Sequence, residues 1–129
     1  PLELVICVLD VCKQVKDLHG TPVGDLVLRR VARLLTTTFR SIDYVCRIGG
    51  DEFAVIMVDV GRELSHTVSD KIKLINDALS NPTDGLPAVS LSVGVAFTDN
   101  ENPGESIFKD ADQALYRVKQ NGKHDCGFY

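Results

Sequence analysis

The sequence predicts one α/β domain of the α+β class, with a five-stranded mixed central sheet flanked by helices. Short apolar runs with strand spacing alternate with longer segments whose apolar residues recur every three or four positions. Two of the strand-like runs are separated by Gly49-Gly50, which is typical of a hairpin turn. The chain of 129 residues is long enough for one substantial core.

Five segments have the pattern of strands. Leu4–Leu9 is a continuous apolar run, as expected of a strand buried on both faces, and Asp10 ends it. In the fourth segment, large apolar residues alternate with small ones that include Gly94, so we expect a helix or a backbone segment to approach closely there. The other three segments are 44–48, 53–58 and a short run at the C-terminus.

Four segments have helical character, at 12–19, 25–40, 64–79 and 105–121. The predicted order is therefore β-α-α-β-β-α-β-α-β. Strands that alternate with helices but include one hairpin indicate a mixed sheet with helices packed against it.

Composition excludes several classes of protein. The net charge of −4 argues against a basic nucleic-acid groove, and no apolar run approaches the roughly 20 residues that span a membrane. We therefore expect a soluble, cytoplasmic domain with no nucleic-acid partner and no membrane segment. The cysteines at 7, 12, 46 and 126 have no metal-ligand spacing and are predicted to be small buried residues in a reducing compartment.

Three carboxylates are expected to converge at one edge of the sheet. Asp10 ends the first strand, and Asp51 and Glu52 lie on the turn between the second and third strands. Carboxylate oxygens at a strand end suit Mg²⁺, and the side-chain-free Gly49 and Gly50 would let a nucleotide approach the backbone. An acidic turn with solvated side chains is the alternative that the spacing alone leaves open.

Several motifs together carry a family resemblance. They are Gly49-Gly50-Asp51-Glu52-Phe53, Asp10-x-x-Lys13, Asp17-x-x-Gly20, Gly24-Asp25-x-x-Leu28, Ser92-Val-Gly-Val-Ala96 and Ala111-Asp112-x-Ala114-Leu115-Tyr116-x-x-Lys119. On these motifs the chain resembles the GGDEF family of diguanylate cyclases over essentially its whole length.

The resemblance implies a fold like that of nucleotide cyclases and polymerase palms. It implies that two copies face each other as a homodimer, each holding GTP and Mg²⁺ (or Mn²⁺), and together form cyclic di-GMP and pyrophosphate. It also implies that residues 1–129 are a single GGDEF domain from a longer signalling protein with a fused sensor domain, without the helix that usually precedes the first strand. Such a domain can be the cytoplasmic output of a membrane sensor.

Site roles follow from the same resemblance. Asp51 matches the metal-binding acid, Glu52 the second acid (a metal ligand or general base) and the Leu9 carbonyl a metal ligand, with Asp10 as a further candidate. The positions that match substrate contacts are Lys13, Asp25, Gly49, Gly50, Lys119, Lys123 and the backbone of Cys12.

Three departures from the family pattern predict impaired catalysis. Val8 stands where the first metal-binding aspartate is expected, Lys16 replaces an asparagine that reads guanine, and Thr21 replaces a histidine. Two hypotheses remain: a weakened diguanylate cyclase, or a non-catalytic module that binds cyclic di-GMP or only dimerises.

A second motif, Arg40-x-x-Asp43, has the spacing of the family's inhibitory product site, and Arg47 matches a frequent further contact. Because arginine presents a planar fork to guanine acceptors, the motif predicts binding of cyclic di-GMP. A simple ion pair at the end of a helix is the alternative.

Overall fold

Five strands and three helices make up the fold in the computed structural model, which describes residues 4–11, 21–59, 61–81, 85–98, 106–120 and 126–128. The strands are β1 (Leu4–Val11), β2 (Tyr44–Gly49), β3 (Glu52–Val58), β4 (Leu91–Phe97) and β5 (Cys126–Phe128). The helices are α1 (Thr21–Thr38), α2 (Ser65–Ser80) and α3 (Ile107–Gln120), and a short 3-10 helix (Arg62–Leu64) leads into α2. The helix predicted over 12–19 lies outside the described residues.

The strands form one sheet in the order β2-β3-β1-β4-β5. β1 lies at the centre and pairs antiparallel with β3 on one side and β4 on the other, while β4 and β5 run parallel. The predicted five-stranded mixed sheet with its β2–β3 hairpin is confirmed. The central position of β1 explains its continuous apolar sequence, because both of its faces are covered.

One face of the sheet packs against α1 and α2 and holds the main core. Alternate residues of β1 point into it, beginning with Val5 and ending with Val11. The helices contribute one apolar stripe each, as the spacing of three and four residues predicts; the buried members are Val27, Leu28, Val31 and Leu35 from α1 and Val68, Ile72, Ile75 and Leu79 from α2.

The opposite face packs against α3 in a smaller cluster of Ile6, Val8, Ala96, Ala111 and Leu115. α3 lies so close to β4 that a Cβ atom added to Gly94 would overlap backbone atoms of α3, with the Cα of Leu115 2.8 Å away. The close approach that the small residues of β4 predict is therefore confirmed, and it fixes the height of α3 above the sheet.

β2 forms an edge of the sheet, and most of its side chains are exposed. Cys46 is exposed, so the prediction that it is buried is wrong, whereas Cys7 is buried in the main core as expected. The apolar letters of β2 indicated burial, but an edge strand receives a neighbour on one side only. None of the described helices is both long and apolar enough to cross a bilayer.

Substituting Gly94 with alanine should destabilise the domain by about 3 kcal/mol or more, because the new methyl group meets rigid backbone of α3. Urea denaturation followed by circular dichroism measures the loss. Gly85→Ala is the control, since an added Cβ there meets nothing within 4 Å but the residue has a φ of 79°. Backbone strain alone should cost about 1–2 kcal/mol there. Equal losses in the two variants would contradict the steric explanation.

Candidate functional site

The end of β1 meets the turn between β2 and β3. Asp10 is the direct cross-strand partner of Glu52, a relation in which Cα atoms lie about 4.5–5.5 Å apart. The next residue, Val11, donates its backbone N–H to the carbonyl oxygen of Asp51 at 2.9 Å. The predicted convergence of the three acidic residues at one sheet edge is therefore present in the fold.

These residues line an open cavity of about 510 Å³ on the α3 side of the sheet. Lys119, in the last turn of α3, forms an ion pair with the Oδ2 atom of Asp10. The Asp10 side chain is only 11% exposed, and that of Lys119 is 38% exposed. We call it the carboxylate cavity, and the described residues that line it are Asp10, Ile48, Gly49, Gly50, Asp51, Glu52 and Lys119.

The glycine turn has a backbone shape and an open surface that suit a ligand. Gly50 has a φ of 50°, which side-chain-bearing residues rarely adopt, and Cβ atoms added at Gly49 or Gly50 would meet nothing within 4 Å. Arg47 holds the turn, because its Nε and NH2 groups donate to the Gly50 carbonyl oxygen at 3.2 and 2.7 Å. No pattern in the sequence indicates this contact.

A second cavity, of about 380 Å³, lies on the α1 side of the same hairpin. We call it the Asp25 cavity. Asp25, Arg29, Ala32 and Thr36 follow one another at helical spacing along α1, so the sequence could have indicated this row once Asp25 was chosen. Among the described residues, its lining is Asp25, Leu28, Arg29, Ala32, Thr36, Val45, Arg47 and Phe53.

Val8 lies away from both cavities. It pairs with Ala54 and Gly94 in the middle of the sheet and is completely buried under α3. Its side chain points to the same face as that of Asp10, but two residues further from the strand end, a distance of about 6.6 Å. The strand-end carboxylate of this chain is therefore Asp10.

Leu9 is buried in the main core and paired with Phe53 and Val93, and its role as a carbonyl ligand stays a prediction. The remaining predicted contacts, Cys12, Lys13, Lys16 and Lys123, lie outside the described residues. Thr21 begins α1.

Oxygen donors of the type that Mg²⁺ prefers line the carboxylate cavity. Among the described residues, no three His, Cys, Asp or Glu side chains come close enough together to hold a metal ion. Mg²⁺ in proteins is usually held by one or two carboxylates together with water and substrate phosphates. The residues therefore fit an ion that arrives with a phosphate ligand better than one caged by the protein alone.

A family model described as "Diguanylate cyclase, GGDEF domain" matches residues 1–125. The chain belongs to the GGDEF family of diguanylate cyclases. It is 33% identical over 129 residues to "Probable diguanylate cyclase DgcT" of Escherichia coli K12 and 31% identical over 128 residues to the response regulator PleD of Caulobacter vibrioides NA1000. Each match covers 96% of this chain but 28% of the relative, so the chain spans under a third of their length.

Solved GGDEF domains share the fold. The GGDEF domain of YfiN (TpbB) from Pseudomonas aeruginosa superposes with a TM-score of 0.85 at 26% identity, covering 98% of this chain and 81% of that one. The GGDEF domain of DgcB from Caulobacter crescentus, solved in complex with c-di-GMP, gives 0.82 at 26% identity and covers 98% and 78%. The resemblance read from the motifs is confirmed by these comparisons.

In this GGDEF domain the Arg40-x-x-Asp43 motif is closed on itself. The Asp43 carboxylate accepts one hydrogen bond from the backbone N–H of Arg40 at 2.8 Å and another from the NH2 group of its guanidinium at 2.7 Å. The same NH2 group also donates to the Val58 carbonyl oxygen at 2.7 Å. The hydrogen bond to Asp43 raises the pKa of the Arg40 guanidinium above its ordinary value. The Asp43 side chain is 0% exposed, so a ligand could reach it only after the pair opens. Arg47 instead lines the Asp25 cavity.

Removing the Arg40 side chain should destabilise this corner by about 1–3 kcal/mol, because Asp43 loses its charged partner while it is buried. Urea denaturation of Arg40→Ala measures the effect. Arg33→Ala, an exposed residue of α1, is the control and should change stability by no more than about 0.5 kcal/mol. An unaltered midpoint in Arg40→Ala would mean that the ion pair contributes nothing to stability.

Proposed function

We propose that this domain binds GTP together with Mg²⁺ or Mn²⁺ across the glycine turn and acts as a diguanylate cyclase of low activity. The observation that carries the proposal is the pairing of Asp10 with Glu52, which brings a strand-end carboxylate beside the signature acids. The family membership and the names of the relatives supply the reaction class.

The two cavities suit the two ends of a guanine nucleotide. The Asp25 carboxylate would accept hydrogen bonds from N1–H and N2–H of guanine, over an apolar floor that includes Leu28 and Phe53. The triphosphate would cross the turn at Gly49 and Gly50 and enter the carboxylate cavity. There the Lys119 ammonium would form charged hydrogen bonds with the phosphate oxygens.

The reaction would take place between two copies of the domain. The 3′-oxygen of one GTP forms a bond to the α-phosphorus of the other, the bond to the pyrophosphate oxygen breaks, and two such steps give cyclic di-GMP and two pyrophosphates. Glu52 would take the proton of the attacking hydroxyl, and Lys119 would hold the phosphates. A bound divalent ion supplies further neutralisation of the charge on the triphosphate.

The low activity is assigned to the three departures from the family pattern. Lys16 can donate hydrogen bonds but not accept them, unlike the asparagine expected there, and Thr21 replaces a histidine. Val8 stands where the first metal-binding aspartate is expected, and a valine side chain offers a divalent ion no ligand.

Incubation of the protein with GTP and Mg²⁺ or Mn²⁺, followed by chromatography, should yield cyclic di-GMP at a low rate. Asp10→Asn and Asp51→Asn should reduce that rate by about 10²–10⁴-fold, the scale expected when charge stabilisation in the transition state is lost. Restoring the expected residues in the double variant Val8→Asp, Lys16→Asn should raise the rate, because it returns a carboxylate for the metal and a hydrogen-bond acceptor for guanine.

Asp112→Asn is the matched control, since Asp112 is an exposed acid of α3 that lines neither cavity. Its rate should equal that of the unmodified protein. The proposal fails if the protein neither binds a GTP analogue nor forms cyclic di-GMP, and the assignment of Asp10 fails if Asp10→Asn keeps the full rate.

A receptor for cyclic di-GMP is the second candidate, favoured by the c-di-GMP complex of the DgcB domain. We rank it second because Asp43 is buried and already paired with Arg40. The first candidate requires a second copy of the domain as its partner, and this homodimer stays a proposal. A fused sensor domain also stays a proposal.

Calorimetry with cyclic di-GMP tests this ranking. Asp43→Asn keeps the shape of the corner and should alter the dissociation constant by less than about twofold, a change under about 0.5 kcal/mol. A tenfold loss of affinity in Asp43→Asn, with no loss in the Asp112→Asn control, would put the receptor function first.

A further inference from the structure

The ion pair between Asp10 and Lys119 joins the C-terminal ends of β1 and α3, which meet at the carboxylate cavity. Within the described part of the chain, Lys119 is the residue that pairs with Asp10. The Asp10 side chain is nearly buried, so the neighbouring ammonium supplies much of its neutralisation in the ligand-free domain. The helix that carries Lys119 is fixed by its close contact with Gly94.

We infer that Lys119 stands in for the divalent ion at Asp10 until a nucleotide arrives, and so makes metal binding and triphosphate binding depend on each other. This inference rests on the proposed function and adds a positioning role for Lys119. Lys119 weakens metal binding at Asp10 in the free domain, and it strengthens binding of the triphosphate in the nucleotide-bound domain.

Charge sets the two occupants of Asp10 against each other. A dication placed at the Asp10 oxygen would lie against the Lys119 ammonium, and like charges at such a distance repel strongly where water is partly excluded. Metal therefore binds the carboxylate more tightly once the ammonium has left. The cost of moving it is the loss of a charge-assisted hydrogen bond.

Lys119 has both the freedom to leave and a place to go. Its side chain is 38% exposed at the rim of the cavity, and lysine is a point charge on a flexible four-carbon stem. A triphosphate that enters beside Gly49 and Gly50 would offer it several anionic oxygens. The nucleotide would then pull the ammonium away and vacate Asp10 for the metal.

This exchange predicts positive coupling between the two ligands. Because linkage is reciprocal, nucleotide must tighten metal binding by the same factor by which metal tightens nucleotide binding. Part of the factor comes from direct contact between phosphate and metal, and the rest from the release of Lys119. Removing the ammonium should eliminate only the second part.

The test measures Mn²⁺ binding to the whole chain by electron paramagnetic resonance, with and without a non-hydrolysable GTP analogue. Lys119→Met should bind Mn²⁺ alone at least about fivefold more tightly than the unmodified protein, the lower end of ordinary coupling between sites. The same variant should bind the analogue about tenfold or more weakly, as expected for a lost charged hydrogen bond. The analogue should tighten Mn²⁺ binding by a smaller factor in Lys119→Met.

Three further variants locate the effect. Lys119→Arg keeps a cation that can pair with Asp10 and should bind Mn²⁺ like the unmodified protein. Lys109→Met, an exposed lysine of α3 outside the cavity, should also match it. In an Asp10→Asn background, Lys119→Met should give no gain in Mn²⁺ affinity.

Opposite changes for metal and nucleotide separate this role from a structural one, since a misfolded site would lose both ligands. The inference is overturned if Lys119→Met binds Mn²⁺ no more tightly than the unmodified protein, or if its gain persists in the Asp10→Asn background. It is also overturned if neither protein binds Mn²⁺ at millimolar concentration. Failure of the analogue to bind would refute the proposed function, while the comparison with Mn²⁺ alone would still decide the inference.

Discussion

The distance between α3 and the sheet is the constraint on which the site depends, and the missing side chain of Gly94 sets it. Because α3 rests on the backbone of β4, its last turn reaches the end of β1, where Lys119 meets Asp10. A helix held one methyl group further out would carry Lys119 away from Asp10. Packing at the middle of the helix thus determines the electrostatics at its end.

β1 transmits this constraint to the hairpin. It is paired on both sides, so its register against β3 and its register against β4 are fixed together. The same strand therefore places Asp10 next to Lys119 of α3 and opposite Glu52 of β3. A slip of one residue would turn Asp10 to the opposite face of the sheet, and the strongly apolar interior forbids it.

Much of this fold could be predicted from the sequence, because hydrophobic periodicity reports which face of each element is buried. The alternation around Gly94 and the convergence of Asp10 with Asp51 followed from that pattern and from the hairpin turn. What the pattern could not report is position within the sheet. Cys46 was expected to be buried because its strand is apolar, but that strand lies at the edge of the sheet. The closed pair of Arg40 and Asp43 depends on burial, which a four-residue motif does not encode.

The central place of β1 also has a kinetic consequence. This strand is made early, but its two neighbours in the sheet, β3 and β4, come from much later parts of the chain, and α3 comes later still. Non-local pairings of this kind make folding slow, and they leave apolar strands exposed until their partner strands have been synthesised. During synthesis, the strand that ends in Asp10 must therefore remain shielded from aggregation until Leu91–Phe97 has left the ribosome. A chain cut short before α3 would expose the apolar surface of Ile6, Val8 and Ala96, and would be a substrate for chaperones and proteases rather than a partly active cyclase.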